Sequence, residues 1–205
     1  MALALPIFRK KLSISIFITL VILVIFPYFF GFIQQQNGRK LNDWLLAQIP
    51  SMDMSLPVFL CIWASALLLF WRLLYKPQVL LNFLIGYIFL TLLRFATILL
   101  FPLEPPANLI ALADPIANYF YGEGGYITKD LFFSGHTSTL ILIFLNLEKK
   151  TDRIFSFIAC VLLAIFLLIQ HVHYTIDVLA APFFTYLIWV ATAGLRALST
   201  QGLDH

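Results

Sequence analysis

Long apolar runs constrain this chain more than any other feature, because each run approaches the length needed to cross a lipid bilayer. A helix needs about 20 apolar residues to cross the hydrocarbon core. Hydrophobic residues make up 61% of the 205 residues and charged residues only 11%, whereas about a quarter of a soluble domain is charged. The sequence therefore predicts an all-α, polytopic membrane protein and excludes a soluble globular domain.

Six apolar runs are predicted to form a six-transmembrane-helix bundle within a single domain, residues 1–205. They lie at about residues 12–33, 56–74, 79–100, 131–147, 154–170 and 173–195. Between the first two, Leu41, Trp44 and Ile49 recur at helical spacing, which favours a short helix in the membrane interface about as much as a simple connection. The longest connection, residues 104–130, contains several prolines and glycines, and such a loop is usually functional or partly disordered.

Basic residues are concentrated at one end of this predicted bundle. The end with both chain termini carries Arg9, Lys10, Lys11, Arg72, Lys76, Lys149, Lys150, Arg153 and Arg196. The opposite end carries only Arg39, Lys40 and Lys129. The positive-inside rule therefore predicts that both termini are cytoplasmic. Since the net charge is only +3 and the charges lie between the spans, no nucleic-acid partner is expected.

Ionisable residues inside the apolar runs converge at the end away from the termini. Arg94 lies near the end of the third span, His136 near the start of the fourth, and His171, His173 and Asp177 at the junction of the last two. Such residues are costly in a membrane and usually belong to a functional site. We therefore expect a site at this end of the bundle, on the extracytoplasmic side.

The chemistry of these groups suits phosphoryl transfer without a metal or another cofactor. His173 and Asp177 are four residues apart on one helix face, so the carboxylate can support charge on the imidazole while His173 attacks phosphorus. His136 can then serve as general acid and base. Arg94 can bind phosphate oxygens in a bidentate way, and Ser134 and Gly135 lie near a helix N-terminus that favours anions.

The motifs that contain these residues resemble those of a known family. Residues 130–137, with Ser134-Gly135-His136-Thr137, and residues 173–178, with His173-Tyr174-Thr175-Ile176-Asp177, resemble the two catalytic motifs of the sphingomyelin synthase type of lipid phosphotransferase. That type belongs to the type 2 phosphatidic acid phosphatase superfamily. Residues 94–97, followed by residues 103–106, resemble the family's arginine-bearing motif. The resemblance covers a predicted catalytic core at residues 79–195.

The resemblance implies an activity, substrates and a location. His173 would be the nucleophile, Asp177 its helper and His136 the acid and base. The substrates would be a phospholipid and a lipid alcohol, ceramide or diacylglycerol. The chain is similar to a small bacterial member of the family, which implies the bacterial inner membrane. Hydrolysis of a lipid phosphate such as phosphatidic acid, with water as the acceptor, stays open as the alternative reaction.

This chain departs from the wider superfamily at the basic positions that the superfamily uses to bind phosphate. The superfamily's basic motif with an Arg-Pro pair is absent, and Leu167 occupies the position of a second arginine. Arg94 is therefore the main phosphate-binding candidate, and Lys129 is a second. Asp130 fits either a helix cap or a group that selects a cationic headgroup. Tyr174 fits either the headgroup pocket or packing, and His171 is expected to shape the site.

Two readings from other functional classes also fit the residues. His171, His173 and Asp177 offer nitrogen and oxygen ligands for a metal in a transporter or haem protein, although His171 and His173 do not share a helix face. A non-catalytic scaffold in a membrane assembly is the other reading. The sequence leaves the oligomeric state open.

Overall fold

The computed structural model describes residues 6–112 and 127–200, and within these ranges the chain is all-α. The described residues contain seven α-helices and no β-strand. They are α1 (Pro6–Gln34), α2 (Ser55–Tyr75), α3 (Pro77–Leu100), α4 (Gly135–Asn146), α5 (Lys150–Ile169), α6 (Thr175–Ala191) and α7 (Ala193–Thr200). The all-α part of the predicted fold class is confirmed. Residues 113–126, in the long connection predicted to be functional or partly disordered, lie outside the described residues.

Four of these helices are long and apolar enough to cross a membrane: α1, α2, α3 and α5. This confirms an integral membrane protein. Helices α4 and α6 are apolar but shorter, with 12 and 17 residues. The six-span arrangement therefore stays a prediction.

Helix α4 begins four residues later than the predicted fourth span, because α3 binds the backbone that precedes it. The Thr97 hydroxyl donates a hydrogen bond to the carbonyl oxygen of Phe132 (3.1 Å), and Arg94 Nε donates to that of Phe133 (3.1 Å). Ser134 is the N-cap, since its hydroxyl oxygen accepts a bond from the Thr137 N–H (3.4 Å). The same contacts fix the position of the first histidine motif against α3.

Two other boundaries differ from the predictions. The predicted span 173–195 is divided at Thr192, whose hydroxyl donates to the carbonyl oxygen of Ile188 (2.7 Å); such bonds often bend helices. The helical spacing in residues 41–49 produces only one 3₁₀ turn, Leu46–Gln48. The Leu46 N–H at the start of this turn donates to Asp43 Oδ1 (3.0 Å).

The two ends of the helix bundle are held by different kinds of contact. At one end, Arg72 and Asp152 form a two-point ion pair (2.5 and 2.9 Å) that joins α2 to α5, and Lys76 pairs with Glu148 nearby. At the other end, loop A (residues 35–54) and loop B (residues 101–112) pack on the turn between α5 and α6. We call this the site end, because both histidine motifs begin there.

Candidate active site

The three residues predicted to be catalytic lie together at the site end. His173 Nδ1 is 3.5 Å from Asp177 Oδ2, and the ring centroids of His136 and His173 are 6.5 Å apart. His173 is 2% exposed and Asp177 is fully buried, whereas His136 is half-buried. The arrangement places a carboxylate beside Nδ1 of one imidazole and a second imidazole near the same ring.

Local bonds explain why the two motifs meet. The Asp177 carboxylate accepts a bond from the Tyr174 N–H (3.1 Å), as acids in the first turn of a helix commonly do. This bond orients the carboxylate toward the preceding His173. The Ser134 N–H donates to the backbone carbonyl of Asp177 (3.0 Å), which joins the start of α4 to the first turn of α6. His136 therefore faces His173 as a consequence of backbone pairing.

Arg94 lies at the same place and is 7% exposed. Its Nη2 pairs with Asp130 Oδ1 at 2.5 Å. The guanidinium also packs against the first residue of α4, since a Cβ atom built on Gly135 would lie 2.5 Å from Arg94 Cζ. Asp130 is thus a partner of Arg94, and the cap of α4 is Ser134. Arg94 is the cation placed directly beside the His136 motif.

Ser134 and Gly135 serve mainly to build this arrangement. Ser134 is completely buried, its hydroxyl caps α4, and its N–H is bonded to Asp177. Gly135 leaves the space that the Arg94 guanidinium fills. The prediction that Ser134 and Gly135 bind substrate at the N-terminus of α4 stays a prediction.

Lys129 and Tyr174 hold the loops, and their predicted role in substrate binding stays a prediction. Lys129 Nζ donates to the carbonyl oxygen of Gln36 (2.6 Å) and to Glu104 Oε1 (2.9 Å). The Tyr174 hydroxyl donates to the carbonyl oxygen of Glu104 (3.0 Å) and accepts from the Leu41 N–H (3.3 Å). Tyr174 is only 3% exposed, so its hydroxyl bridges loops A and B.

The charges of this loop network are mutually neutralised. The hydrogen bond from Lys129 holds the pKa of the Glu104 carboxyl below its usual range, and the bond from the Gly38 N–H adds to this effect. Glu104 is therefore ionised at neutral pH, and Lys129 is its ion-pair partner.

His171 also binds both loops. Its Nδ1 lies 2.8 Å from the carbonyl oxygen of Ala107 in loop B, and its Nε2 lies 2.9 Å from that of Ile49 in loop A. The ring is directed to the loops rather than to Asp177. Within residues 6–112 and 127–200, no group of three or more His, Cys, Asp or Glu side chains is placed to hold a metal ion.

Asp43 is a site-end residue that the sequence did not single out. Its Oδ2 accepts the Thr175 N–H (2.6 Å), and its Oδ1 accepts the Thr175 hydroxyl (3.0 Å). Burial alone would raise the pKa of Asp43, but bonds from the Leu46 and Thr175 N–H groups outweigh it and lower the pKa. Asp43 thus caps α6, the helix that carries Asp177, from loop A.

Gln170 is the other residue that sequence reasoning missed. It is completely buried, and its Nε2 donates to the Ser55 hydroxyl (2.9 Å) while its Oε1 accepts from the Met54 N–H (3.2 Å). A polar residue at the end of an apolar run, directly before a histidine motif, was the available signal.

A comparison with protein families bears on the segment that contains both histidine motifs. Residues 129–194 match the model of the PAP2 superfamily C-terminal family. This PAP2 domain is found in sphingomyelin synthase-like proteins, in agreement with the resemblance of the motifs. No curated protein matches the chain.

The match defines the part of the site that the family accounts for. The matched segment includes His136, His173 and Asp177, whereas Arg94 and loops A and B precede it in the chain. The match suggests the activities of this superfamily, lipid phosphatase and phosphotransferase. The particular reaction has to be argued from the geometry.

Proposed function

We propose that this chain is a membrane lipid phosphotransferase that moves a phospho-headgroup from a phospholipid to ceramide or diacylglycerol through a phosphohistidine. The observation that carries the proposal is the arrangement of Asp177, His173 and His136, with the carboxylate 3.5 Å from Nδ1 of His173 and the two imidazole centroids 6.5 Å apart. The PAP2 domain match supports this class of reaction.

His173 acts as the nucleophile through Nε2. Asp177 faces Nδ1 and favours a proton on that nitrogen, which leaves the Nε2 lone pair free. Nε2 attacks the phosphorus of the phospholipid, and the bond from phosphorus to the diacylglycerol oxygen breaks. Asp177 stabilises the positive charge that develops on the ring. The headgroup phosphate is then held on His173.

His136 moves the protons in both half-reactions. It first donates a proton to the departing diacylglycerol oxygen. It then takes the proton from the hydroxyl of the acceptor lipid, whose oxygen attacks phosphorus while the phosphorus–nitrogen bond breaks and His173 is regenerated. Reacting atoms approach to about 3–3.5 Å before reaction, so a spacing of 6.5 Å between ring centroids suits a phosphoryl group between the rings.

Arg94 is proposed to stabilise the phosphoryl oxygens. It is a buried cation against Gly135, one residue before His136, at the N-terminus of α4. A helix N-terminus and a guanidinium both favour negative charge. Asp130 holds the guanidinium in place before the substrate binds.

The burial of the nucleophile favours transfer over hydrolysis. His173 and Asp177 expose 2% and 0% of their surface, which restricts the access of water, the competing acceptor. A lipid alcohol can enter from the bilayer instead. Hydrolysis of a lipid phosphate of the phosphatidic acid type is the second candidate reaction, since only the acceptor differs.

The site is proposed to lie on the extracytoplasmic side of a bacterial plasma membrane, with six spans. The ends of α4 support this arrangement, since Gly135 lies at the site end and Asn146 lies close in sequence to Glu148 at the opposite end. The opposite end also carries most of the basic residues, in accordance with cytoplasmic termini. At about 1.5 Å per residue, α4 itself covers only part of a bilayer, so residues 127–134 are proposed to lie within the membrane thickness.

Lipid products distinguish these reactions. Purified wild type and His173→Ala would each be incubated with fluorescent ceramide and mixed phospholipids, and separately with phosphatidic acid. A new phosphoceramide species that His173→Ala does not form is expected. Phosphate release without a new lipid would instead establish the phosphatase. If wild-type protein produced neither with any donor, the proposed activity would be wrong, and the scaffold reading would replace it.

A further inference from the structure

The side chain of His171 is enclosed between two backbone carbonyl groups. Nδ1 lies 2.8 Å from the oxygen of Ala107 and Nε2 lies 2.9 Å from the oxygen of Ile49, and the residue is 4% exposed. These two carbonyls belong to loop B and loop A, which are distant in sequence. One ring therefore connects both loops to the turn before α6.

These two contacts constrain the protonation of the ring. A carbonyl oxygen accepts hydrogen bonds and cannot donate them, and a neutral imidazole carries only one N–H. A neutral His171 would direct a nitrogen lone pair at a carbonyl oxygen in a buried place, where an unsatisfied polar pair is unfavourable. Both contacts are hydrogen bonds only when both nitrogens carry protons.

The backbone presents the ring in this position. His171 has φ 55°, in the left-handed region that non-glycine residues seldom adopt. Its N–H donates to the carbonyl oxygen of Leu168 (3.1 Å), and the Ile110 N–H of loop B donates to that of Gln170 (3.1 Å). The turn thus holds loop B on one side while the ring reaches loop A on the other.

We propose that His171 is a positioning residue that works as an imidazolium. With both nitrogens protonated, it ties loop A to loop B over the turn that carries His173. When it loses one proton, it releases one of the two loops. We call this link between loop A and loop B through His171 the clasp. Its effect on catalysis rests on the proposed phosphotransferase function, whereas the link itself does not depend on that function.

Both acidic and basic groups lie on the elements packed against His171. They are Arg39, Lys40, Asp43 and Asp53 of loop A, Glu104 of loop B with its partner Lys129, and His173, Tyr174 and Asp177 at the start of α6. Hydrogen bonds lower the pKa of both Asp43 and Glu104, so both are ionised at neutral pH. Since charges of both signs are present, the proposal rests on the two carbonyl contacts of the ring.

The protonation state can be measured directly. Full-length protein labelled with ¹⁵N-histidine would be placed in lipid nanodiscs and titrated from about pH 5.5 to 9, the range in which histidine changes charge. His171→Gln identifies its signals by their loss. At low pH, both ring nitrogens of His171 should show the shifts of protonated nitrogen, and one should change as the pH rises.

Loop release is measured on the same sample by hydrogen exchange, corrected for the intrinsic effect of pH. Exchange in residues 49–54 and 107–112 should increase about tenfold across the pH at which His171 titrates. Tyr174→Phe is the matched control, because it removes another bridge between the loops without a group that titrates in this range. It should raise exchange equally at every pH.

Two results would overturn the proposal. One is a His171 ring with a single proton throughout the titration of the wild type. The other is loop exchange in His171→Gln with the same pH dependence as in the wild type. Neither measurement requires turnover, so a wild type without lipid product would refute the phosphotransferase and leave the test of the clasp intact. In an active protein, the wild type but not His171→Gln should lose kcat/KM at the same alkaline pH.

Discussion

Arg94 and Gly135 are in direct contact, so that the guanidinium occupies the space where any other residue at position 135 would place its side chain. A Cβ atom at Gly135 would lie 2.5 Å from Arg94 Cζ and 2.8 Å from Nη2. This contact couples a cation on α3 to the first turn of α4, one residue before His136. The glycine of the first histidine motif is therefore explained by the arginine it touches.

Gly135→Ala is expected to reduce activity by displacing the guanidinium. Misplacement of a binding group by about 1 Å can cost 10²-fold in rate, so kcat/KM should fall by about ten- to a hundredfold in the ceramide assay. Gly31→Ala is the matched control, because nothing lies within 4 Å of a Cβ atom at Gly31. Equal activity of the two variants would show that the position of Arg94 does not matter for turnover.

The roles of His136 and His173 can be separated by comparing two donor substrates whose leaving groups differ in their need for a proton. His136→Ala should slow transfer from a natural phospholipid by about 10²–10⁴-fold, the usual contribution of an acid–base group. With a nitrophenyl phosphodiester the loss should be much smaller in the release of nitrophenol, because that leaving oxygen needs no proton. His173→Ala should be inactive with both donors. Equal losses of His136→Ala with both donors would contradict its role as the acid.

Asp43 should make the stability of the protein dependent on acid pH. Its pKa is lowered in the folded state, so its contribution is complete above the ordinary value of about 3.8 and is lost as the pH falls through the folded value. Asp43→Asn should lower the thermal unfolding temperature at pH 7, and its difference from the wild type should shrink as the pH falls below about 3.8. Asp53→Asn, which alters an exposed acid bonded to the nearby Ser55 N–H, should have a smaller effect at pH 7. An unchanged unfolding temperature of Asp43→Asn at pH 7 would contradict the cap.

The ion pair at the opposite end should affect stability without affecting chemistry. Asp152 accepts two bonds from Arg72, and its side chain is 8% exposed. Asp152→Asn should lower the unfolding temperature by several degrees and leave kcat per folded molecule unchanged. Glu148→Gln is the control, since its pair with Lys76 is exposed and such pairs contribute little. A loss of kcat in Asp152→Asn would show that the two ends are coupled.

Chain order and hydropathy were enough to place the main polar groups. Ionisable residues in apolar runs have few stable positions, because each must reach a partner or water. Alternating spans then put His136 and His173 at one end, and the structure has their rings 6.5 Å apart. Helix count and length were less predictable, since Thr97 and Arg94 bind the backbone before α4 and shorten that helix.

Asp43 and Gln170, which the sequence did not single out, share one property: their partners cannot be recognised from a sequence pattern. Asp43 binds Thr175, which is 132 residues away, and Gln170 binds a backbone N–H of loop A. Any residue type supplies a backbone group, so no pattern at the partner position announces the contact. The loop contacts of Lys129 and Tyr174 could not be predicted for the same reason, because they include main-chain carbonyl oxygens.

The attachment of the loops by His171 and Tyr174 has a consequence for redesign. Both side chains hold the loops by hydrogen bonds to main-chain atoms. These atoms are the carbonyl oxygens of Ile49, Ala107 and Glu104 and the N–H of Leu41. The Glu104 carboxylate is itself bonded to Lys129 and to the Gly38 N–H, whereas the side chains of Leu41, Ile49 and Ala107 take no part in these contacts. Substitutions at these last three positions can alter what the loops present to a lipid while the loops stay anchored, which makes these positions the natural starting library for changing headgroup preference.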